Sequence, residues 1–251
     1  MVIKIVTALF AFCLLALSCT EPTSTTVSNT LSEDTLPQIH NTPISPISTT
    51  ATTLTKQLSS LPTAIDYDTA LWTELTRLDD RLTVDLRYAT SNNFVEEKMY
   101  DCPRCFLRPE AAEALQMVHS KLIASGYHIQ LLDCYRPKSV QEILWAKMPD
   151  ATYVTPPKKG SMHNRGYAVD VTLIDEQGDS LDMGSEFDFF GREAHHDYYG
   201  HDPEILARRK LLRETMAQFG FKHIRTEWWH YSYQGPYKSP FEIADFQWSC
   251  H

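Results

Sequence analysis

The apolar and polar positions divide the chain into three parts. Behind Lys4 runs an almost continuously apolar stretch, "IVTALFAFCLLALS". From Thr20 to about Ala64 that pattern stops, and Ser, Thr and Pro dominate segments such as "EPTSTTVSNTLSEDT" and "NTPISPISTTATT". Periodic segments follow. In "LRPEAAEALQMVHSKLIASGY", Leu115, Val118 and Leu122 recur at helical spacing, which predicts a helix packed on a core. Pro109 suits its first turn, Glu110 and Glu113 favour its positive end, and Gly126 marks the stop. "HIQLLDCY" predicts a buried strand, and "SVQE" opens another helix as a capping box of Ser139 with Glu142. "YAVDVTLI" alternates, with Val169, Val171 and Leu173 on one face and Asp170 and Thr172 on the other, before a hairpin-type turn at "DEQGD". "DPEILARRKLLRETMAQFGF" predicts a second long helix, capped by Asp202, begun by Pro203 and ended by Gly220. "HIRTEWWHYSY", aromatic and β-branched, is expected to be the final strand.

The first apolar stretch spans about 13 residues, short of the roughly 20 that a membrane-crossing helix needs, so residues 1–19 are expected to be an export signal. It ends "LALSC", which looks like a bacterial lipoprotein signal in which Cys19 is acylated. Residues 20–64 have too little apolar bulk to bury and are expected to form a disordered tether. Residues 65–251 remain as one domain of ordinary size. These features imply an exported protein, periplasmic or held on a membrane by its lipid.

Charge and cysteines narrow the chemistry. A formal net charge of -9 offers no basic face to nucleic acid, and nothing implies a protein partner. Of six cysteines, Cys102, Cys105, Cys134 and Cys250 lie in the expected domain. Export favours up to two disulfides among them, with the pairing open. "CPRC" lacks the second CxxC of a zinc ribbon and the helix-opening context of a redox motif.

Asp170 is the residue that demands an explanation, because ionised carboxylates are rarely buried without a cation or donor. His163 lies seven residues upstream in "SMHNRGYAVD", and Gly166 allows the chain to turn so that imidazole and carboxylate converge. His230 supplies a third ligand, and two imidazoles with one carboxylate suit zinc with a fourth position open. Glu227 then has a separate role, taking a proton from an attacking water. Residues at i and i+3 point to opposite faces of a regular strand, so a bulge or irregular strand end is expected between Glu227 and His230. Trp228 and Trp229 are expected to pack rather than stack on substrate. Arg136 falls in a turn at a strand end held by Pro137. His195, His196 and His201 in "GREAHHDYYGH" are expected to be solvated loop residues rather than a second metal site.

"SMHNRGYAVDVTL" resembles the S-x-H-x-R-G-x-A-x-D motif, and "EWWHY" the E-x-W-H motif, of the zinc D-alanyl-D-alanine dipeptidases. Further ordered matches are "DLRYAT", "GYHIQLLDCYRP", "MGSEFDF" and "RRKLLRETMAQFGF", so the resemblance runs from about Val84 to Tyr233. It implies an α+β fold: a single compact domain with a central antiparallel sheet flanked by helices. It also implies one zinc ion per chain, on His163, Asp170 and His230, with Glu227 as base and Arg136 steadying the oxyanion. Ser161, Asp188 and Tyr88 match positions that receive the amino group of a small D,D-dipeptide. The implied reaction is hydrolysis of D-Ala-D-Ala. A D,D- or L,D-carboxypeptidase acting on peptidoglycan stem peptides is the alternative within the class, and a non-catalytic zinc-containing cell-wall module is the alternative outside it. The exported, tethered N-terminus and the cysteine set depart from the family pattern.

Overall fold

The computed structural model describes residues 65–235 and 242–250. The export signal, Cys19 and the tether lie outside these residues.

Prolines start the two long helices where the sequence places them. After a short strand β1 (Thr73–Glu74), a single turn α1 (Leu75–Leu78) and strands β2 (Thr83–Val84) and β3 (Phe106–Leu107), helix α2 spans Pro109–Ile123 with the proline at its first position. Its Leu115, Val118 and Leu122 are fully buried; each such burial contributes about 1.5–3 kcal/mol before chain entropy is counted. Gly126 takes the left-handed conformation just beyond the helix, at φ 82°, and the chain enters β4 (His128–Asp133).

Helix α3 covers Lys138–Lys147 and corrects the expected capping box. It begins two residues earlier, behind Pro137, and makes no side-chain cap, so Ser139 already lies inside the first turn. Strand β5 (Ala168–Ile174) is buried along its whole length and both faces. The polar face predicted for it is therefore an interior face. The turn at Asp175–Asp179 forms as expected, with the Asp175 amide donating to the Asp179 carbonyl at 3.0 Å. Helix α4 (Pro203–Gln218) starts at its proline after Asp202, although the Asp202 side chain makes no capping hydrogen bond.

The expected single last strand is two. Strands β6 (Phe221–Ile224) and β7 (Glu227–Tyr233) form an antiparallel hairpin through Arg225 and Thr226. The main sheet has the order β2-β4-β5-β7-β6; its pairs are antiparallel apart from the parallel edge pair β2–β4. A separate two-stranded sheet joins β1 to β3. Ile129 and Leu131 of β4 lie opposite Leu173 and Val171 of β5, in one core with the buried residues of α2 and with Leu212 and Met216 of α4.

Two irregularities flank β5. In β4 the register slips between Leu131 and Asp133, so that Asp133 comes to lie opposite Asp170. Without the extra residue, Asp133 would share the helix-facing parity of Ile129 and Leu131. In the hairpin, His223 pairs with Tyr231 but Ile224 pairs with Glu227. The bulge expected between Glu227 and His230 is there.

Two disulfides tie the domain, Cys102–Cys250 and Cys105–Cys134.

Candidate active site

Asp170 and His230 are direct cross-strand partners on β5 and β7, which puts both side chains on one face of the sheet. His163 arrives from a short 3-10 turn, His163–Arg165, that ends at Gly166 with φ 77°. That conformation favours glycine, and a Cβ here would also meet the Trp72 ring at 2.5 Å.

The three side chains converge. His230 Nδ1 is 3.0 Å from Asp170 Oδ1, His163 Nε2 is 3.3 Å from the same oxygen, and the two ring nitrogens are 3.1 Å apart. The outer nitrogens are already engaged: His163 Nδ1 lies 2.7 Å from the Cys134 carbonyl oxygen and His230 Nε2 3.0 Å from Ser232 Oγ. Donation from Nδ1 to the carbonyl fixes the tautomer that leaves His163 Nε2 with its lone pair facing the cluster. Burial pushes the His230 imidazole down, favouring the neutral form that binds a metal. For His163 burial acts in the same direction, but the Asp170 carboxylate outweighs it and carries the pKa up. Burial drives Asp170 up, and the two imidazoles beside it bring it down well below the ordinary carboxylate range. The donor atoms all lie within 4.8 Å of one another. Two neutral imidazoles and one ionised carboxylate, with outer nitrogens tied back, fit a zinc ion.

The other predicted residues line the same cavity, of about 200 Å³: Tyr88, Arg136, Ser161, Asp188 and Glu227. Glu227 Oε2 lies 4.0 Å from His230 Nδ1, so the bulge has turned both toward one point. Burial, reinforced by the Asp170 and Asp188 carboxylates, pushes its carboxyl well above the usual range. Asp188 occupies a left-handed conformation, φ 59°, and accepts a 2.9 Å hydrogen bond from Tyr88 Oη. Burial, with Asp170 nearby, raises its carboxyl to about 7. A larger cleft of about 540 Å³, bounded by Gln130, Thr172 and Trp228 among others, contains none of the predicted site residues.

Arg136 is held by residues that sequence reasoning did not single out. Its Nε and Nη2 donate to Asp133 Oδ2 at 3.0 and 2.7 Å, and Nη1 donates to Gln141 Oε1 at 3.0 Å. Asp133 also accepts from Tyr100 Oη at 2.8 Å. Gln141 is fully buried, donates to the Thr155 carbonyl at 2.8 Å and accepts from Ser161 Oγ at 3.3 Å. Asp133 carried the same signal as Asp170, a carboxylate inside an apolar strand. Gln141 had no such signal, because one polar residue in an amphipathic helix reads as solvent-facing.

Trp228 and Trp229 are buried, and Trp228 Nε1 donates to Ser185 Oγ at 2.9 Å, so packing is their role. The histidines of the 195–201 loop correct an expectation. His195 and His196 are buried rather than solvated; His195 Nδ1 faces Arg192 and Arg225, and His196 packs its ring on His223 at 4.5 Å. Asp197 Oδ1 lies 3.8 Å from His195 Nδ1, but among the described residues only His163, Asp170 and His230 form a cluster that could hold a metal.

A family model described as D-ala-D-ala dipeptidase, peptidase M15, matches residues 70–248. The D-alanyl-D-alanine dipeptidase of Escherichia coli K12 is 35% identical over 183 residues, 73% of this chain and 94% of that protein. The enzyme of the same name from Enterococcus faecalis V583 is 34% identical over 171 residues, 59% of this chain and 83% of its own. That from Streptomyces coelicolor is 28% identical over 172 residues, 59% of this chain and 84% of its own. With a match across most of its folded length, the chain belongs to the D-Ala-D-Ala dipeptidase family of M15 peptidases.

Proposed function

We propose that this protein is a zinc-dependent dipeptidase that hydrolyses D-Ala-D-Ala to two D-alanines in bacterial cell-wall metabolism. One zinc ion per chain is held by His163, Asp170 and His230. The observation that carries the proposal is the convergence of those ligands with Glu227 and Asp188 in a single cavity of about 200 Å³. That volume is below the roughly 300–1,000 Å³ typical of drug-sized ligands, and it suits a dipeptide.

When bound, zinc supplies Lewis acidity at the scissile carbonyl and makes the attacking water more acidic. Glu227 takes the proton of that water on a carboxylate oxygen and passes it to the leaving nitrogen. Arg136 has five N–H groups; three are spent on Asp133 and Gln141, and the others are left to donate to the developing oxyanion. Asp188, fixed by Tyr88, receives the free ammonium of the dipeptide, with Ser161 lining the same cavity. A longer peptide presents a neutral amide nitrogen there and leaves a buried carboxylate unpaired, which selects against it.

The proposal extends to location. Cys19 is lipidated after removal of the signal, and the 20–64 tether holds the domain in the periplasm or at a membrane surface. Two disulfides support an oxidising compartment, and no helix among the described residues is long and apolar enough to cross a membrane.

The test measures D-alanine released from D-Ala-D-Ala, N-acetyl-D-Ala-D-Ala and a stem pentapeptide, with chelator-treated enzyme as control. Cleavage of the free dipeptide alone is expected. Cleavage of the longer substrates would move the protein to the carboxypeptidases, and silence on all of them would leave a binding module.

A further inference from the structure

Asn164 stands at a position that the S-x-H-x-R-G-x-A-x-D motif leaves open, yet it is completely buried. Its side chain donates from Nδ2 to the Arg136 carbonyl at 2.8 Å. Its Oδ1 accepts from the Ser161 amide at 2.8 Å and from Ser161 Oγ at 3.0 Å. Its own backbone carbonyl accepts from the amide of Ala244, at 2.9 Å, in the C-terminal segment. One residue thus links the turn that bears His163, the strand end that bears Arg136, and the far end of the chain.

Residues 242–250 have no regular secondary structure, but they are fastened at several points. Tyr135 Oη donates to the Ala244 carbonyl at 3.2 Å and accepts from the Phe246 amide at 2.9 Å. The Trp248 ring meets the Tyr100 ring edge-on at 5.4 Å, and Tyr100 is the donor that helps Asp133 hold Arg136. At the end, Cys250 is bonded to Cys102, 148 residues earlier in the chain.

We infer that this segment is a disulfide-locked strap that positions the site, with Asn164 as the positioning residue through which it acts on His163 and Arg136. The inference rests on the proposed zinc site. The physical reason is that a segment without helix or strand hydrogen bonds has little to hold it in register by itself, so the covalent closure keeps the Ala244 donor on the Asn164 carbonyl. Residues that orient metal ligands from behind typically change metal affinity or activity 10- to 100-fold when removed.

The test uses the full chain and reads zinc affinity by chelator competition, beside kcat, KM and melting temperature. The Cys102→Ser/Cys250→Ser protein should bind zinc about tenfold more weakly and lose about tenfold in kcat with less change in KM. Asn164→Ala should do the same with the disulfide intact. Combining them should cost less than the product of the separate effects, because both act through one turn. Leu122→Ala, in the core of α2 and remote from the strap, serves as the control for plain destabilisation: its melting temperature should fall with zinc affinity unchanged. If the opened strap lowers the melting temperature but leaves zinc affinity and kcat at wild-type values, the bond is only a stabiliser and the inference is overturned. Strictly multiplicative effects of the two changes would overturn the role of Asn164. Should the double-serine protein fail to fold, Tyr135→Phe, which frees Ala244 and Phe246 with both disulfides intact, decides the question by the same readouts. Because zinc affinity is read independently of turnover, a wild-type protein inactive on D-Ala-D-Ala would defeat the dipeptidase reading without touching this one.

Discussion

Asp133 and Asp170 face each other across β4 and β5, both buried, and their charges are met in different ways. Asp133 is met from within the chain: Arg136 donates to it twice and Tyr100 once. Asp170 is met by two imidazoles whose inner nitrogens crowd toward it, with Arg136 Nη2 no nearer than 3.9 Å. Beyond it the imbalance grows. Among the described residues, Asp188 has the Tyr88 hydroxyl as its hydrogen-bond donor, and Glu227 has only the 4.0 Å approach of His230. One half of the cavity is electrostatically finished; the other holds two carboxyls, Asp188 and Glu227, whose ionisation the protein disfavours. Buried charges are costly unless paired. On the proposed reading the unfinished half is where cations enter, a zinc ion at His163, Asp170 and His230 and an ammonium at Asp188, while the finished half holds Arg136 still.

The largest effect should come from removing a metal ligand on the unfinished side. His163→Ala should release the zinc and abolish turnover, as measured by elemental analysis of the dialysed protein beside the D-alanine assay. Full zinc content in that variant would remove His163 from the ligand set. Glu227→Gln keeps size and hydrogen bonding but cannot take a proton, so it should retain zinc and lose about 10³-fold in kcat. Turnover near the wild-type rate would put the base elsewhere. On the finished side the effect should appear in stability instead. Asp133→Ala leaves Arg136 as a buried charge without its carboxylate and should cost about 3–5 kcal/mol in denaturant unfolding. A variant as stable as the wild type would mean that the two halves are not distinct.

The unfinished half was also the more legible part of the sequence. Asp170 declared itself as a carboxylate inside an apolar strand, and the i, i+3 spacing of Glu227 and His230 demanded an irregular strand that the structure supplies. The support was harder to see for reasons of physics. Asp133 faces the site only because of a register slip at Leu132, and a slip leaves no mark in hydrophobic periodicity. The β6–β7 turn uses Arg225 and Thr226, with no Gly, Asn, Asp or Pro to announce it. Ser139 and Glu142 fit a capping box, but the helix starts two residues early, behind Pro137. His195 and His196 are buried by contacts from β6 and its neighbouring turn, distant in sequence, which local polarity could not foretell. Three disulfide pairings were open, and only tertiary structure distinguishes Cys102–Cys250 with Cys105–Cys134 from the others.

The smallest effect expected is also the most direct measure of the imbalance. In the metal-free protein, burial and the Asp170 carboxylate raise Asp188 from 3.8 to about 7. Between those values the folded chain keeps a proton that the unfolded chain has lost. Stability contributed by this group is therefore fully present below pH 3.8 and is lost as pH rises through about 7. Glu227 is raised too and acts with the same sign. These two groups should accordingly give the melting temperature of chelator-treated protein a decline between about pH 4 and pH 7, superposed on the opposite trend of the histidines whose pKa burial lowers. Asp188→Asn removes one of the two groups and should flatten part of that decline, since an amide has no proton to lose. An undiminished slope in the variant would show that Asp188 is already ionised across this range. The protein would then already balance its charge through Tyr88 and Arg136, and the imbalance would be confined to Glu227.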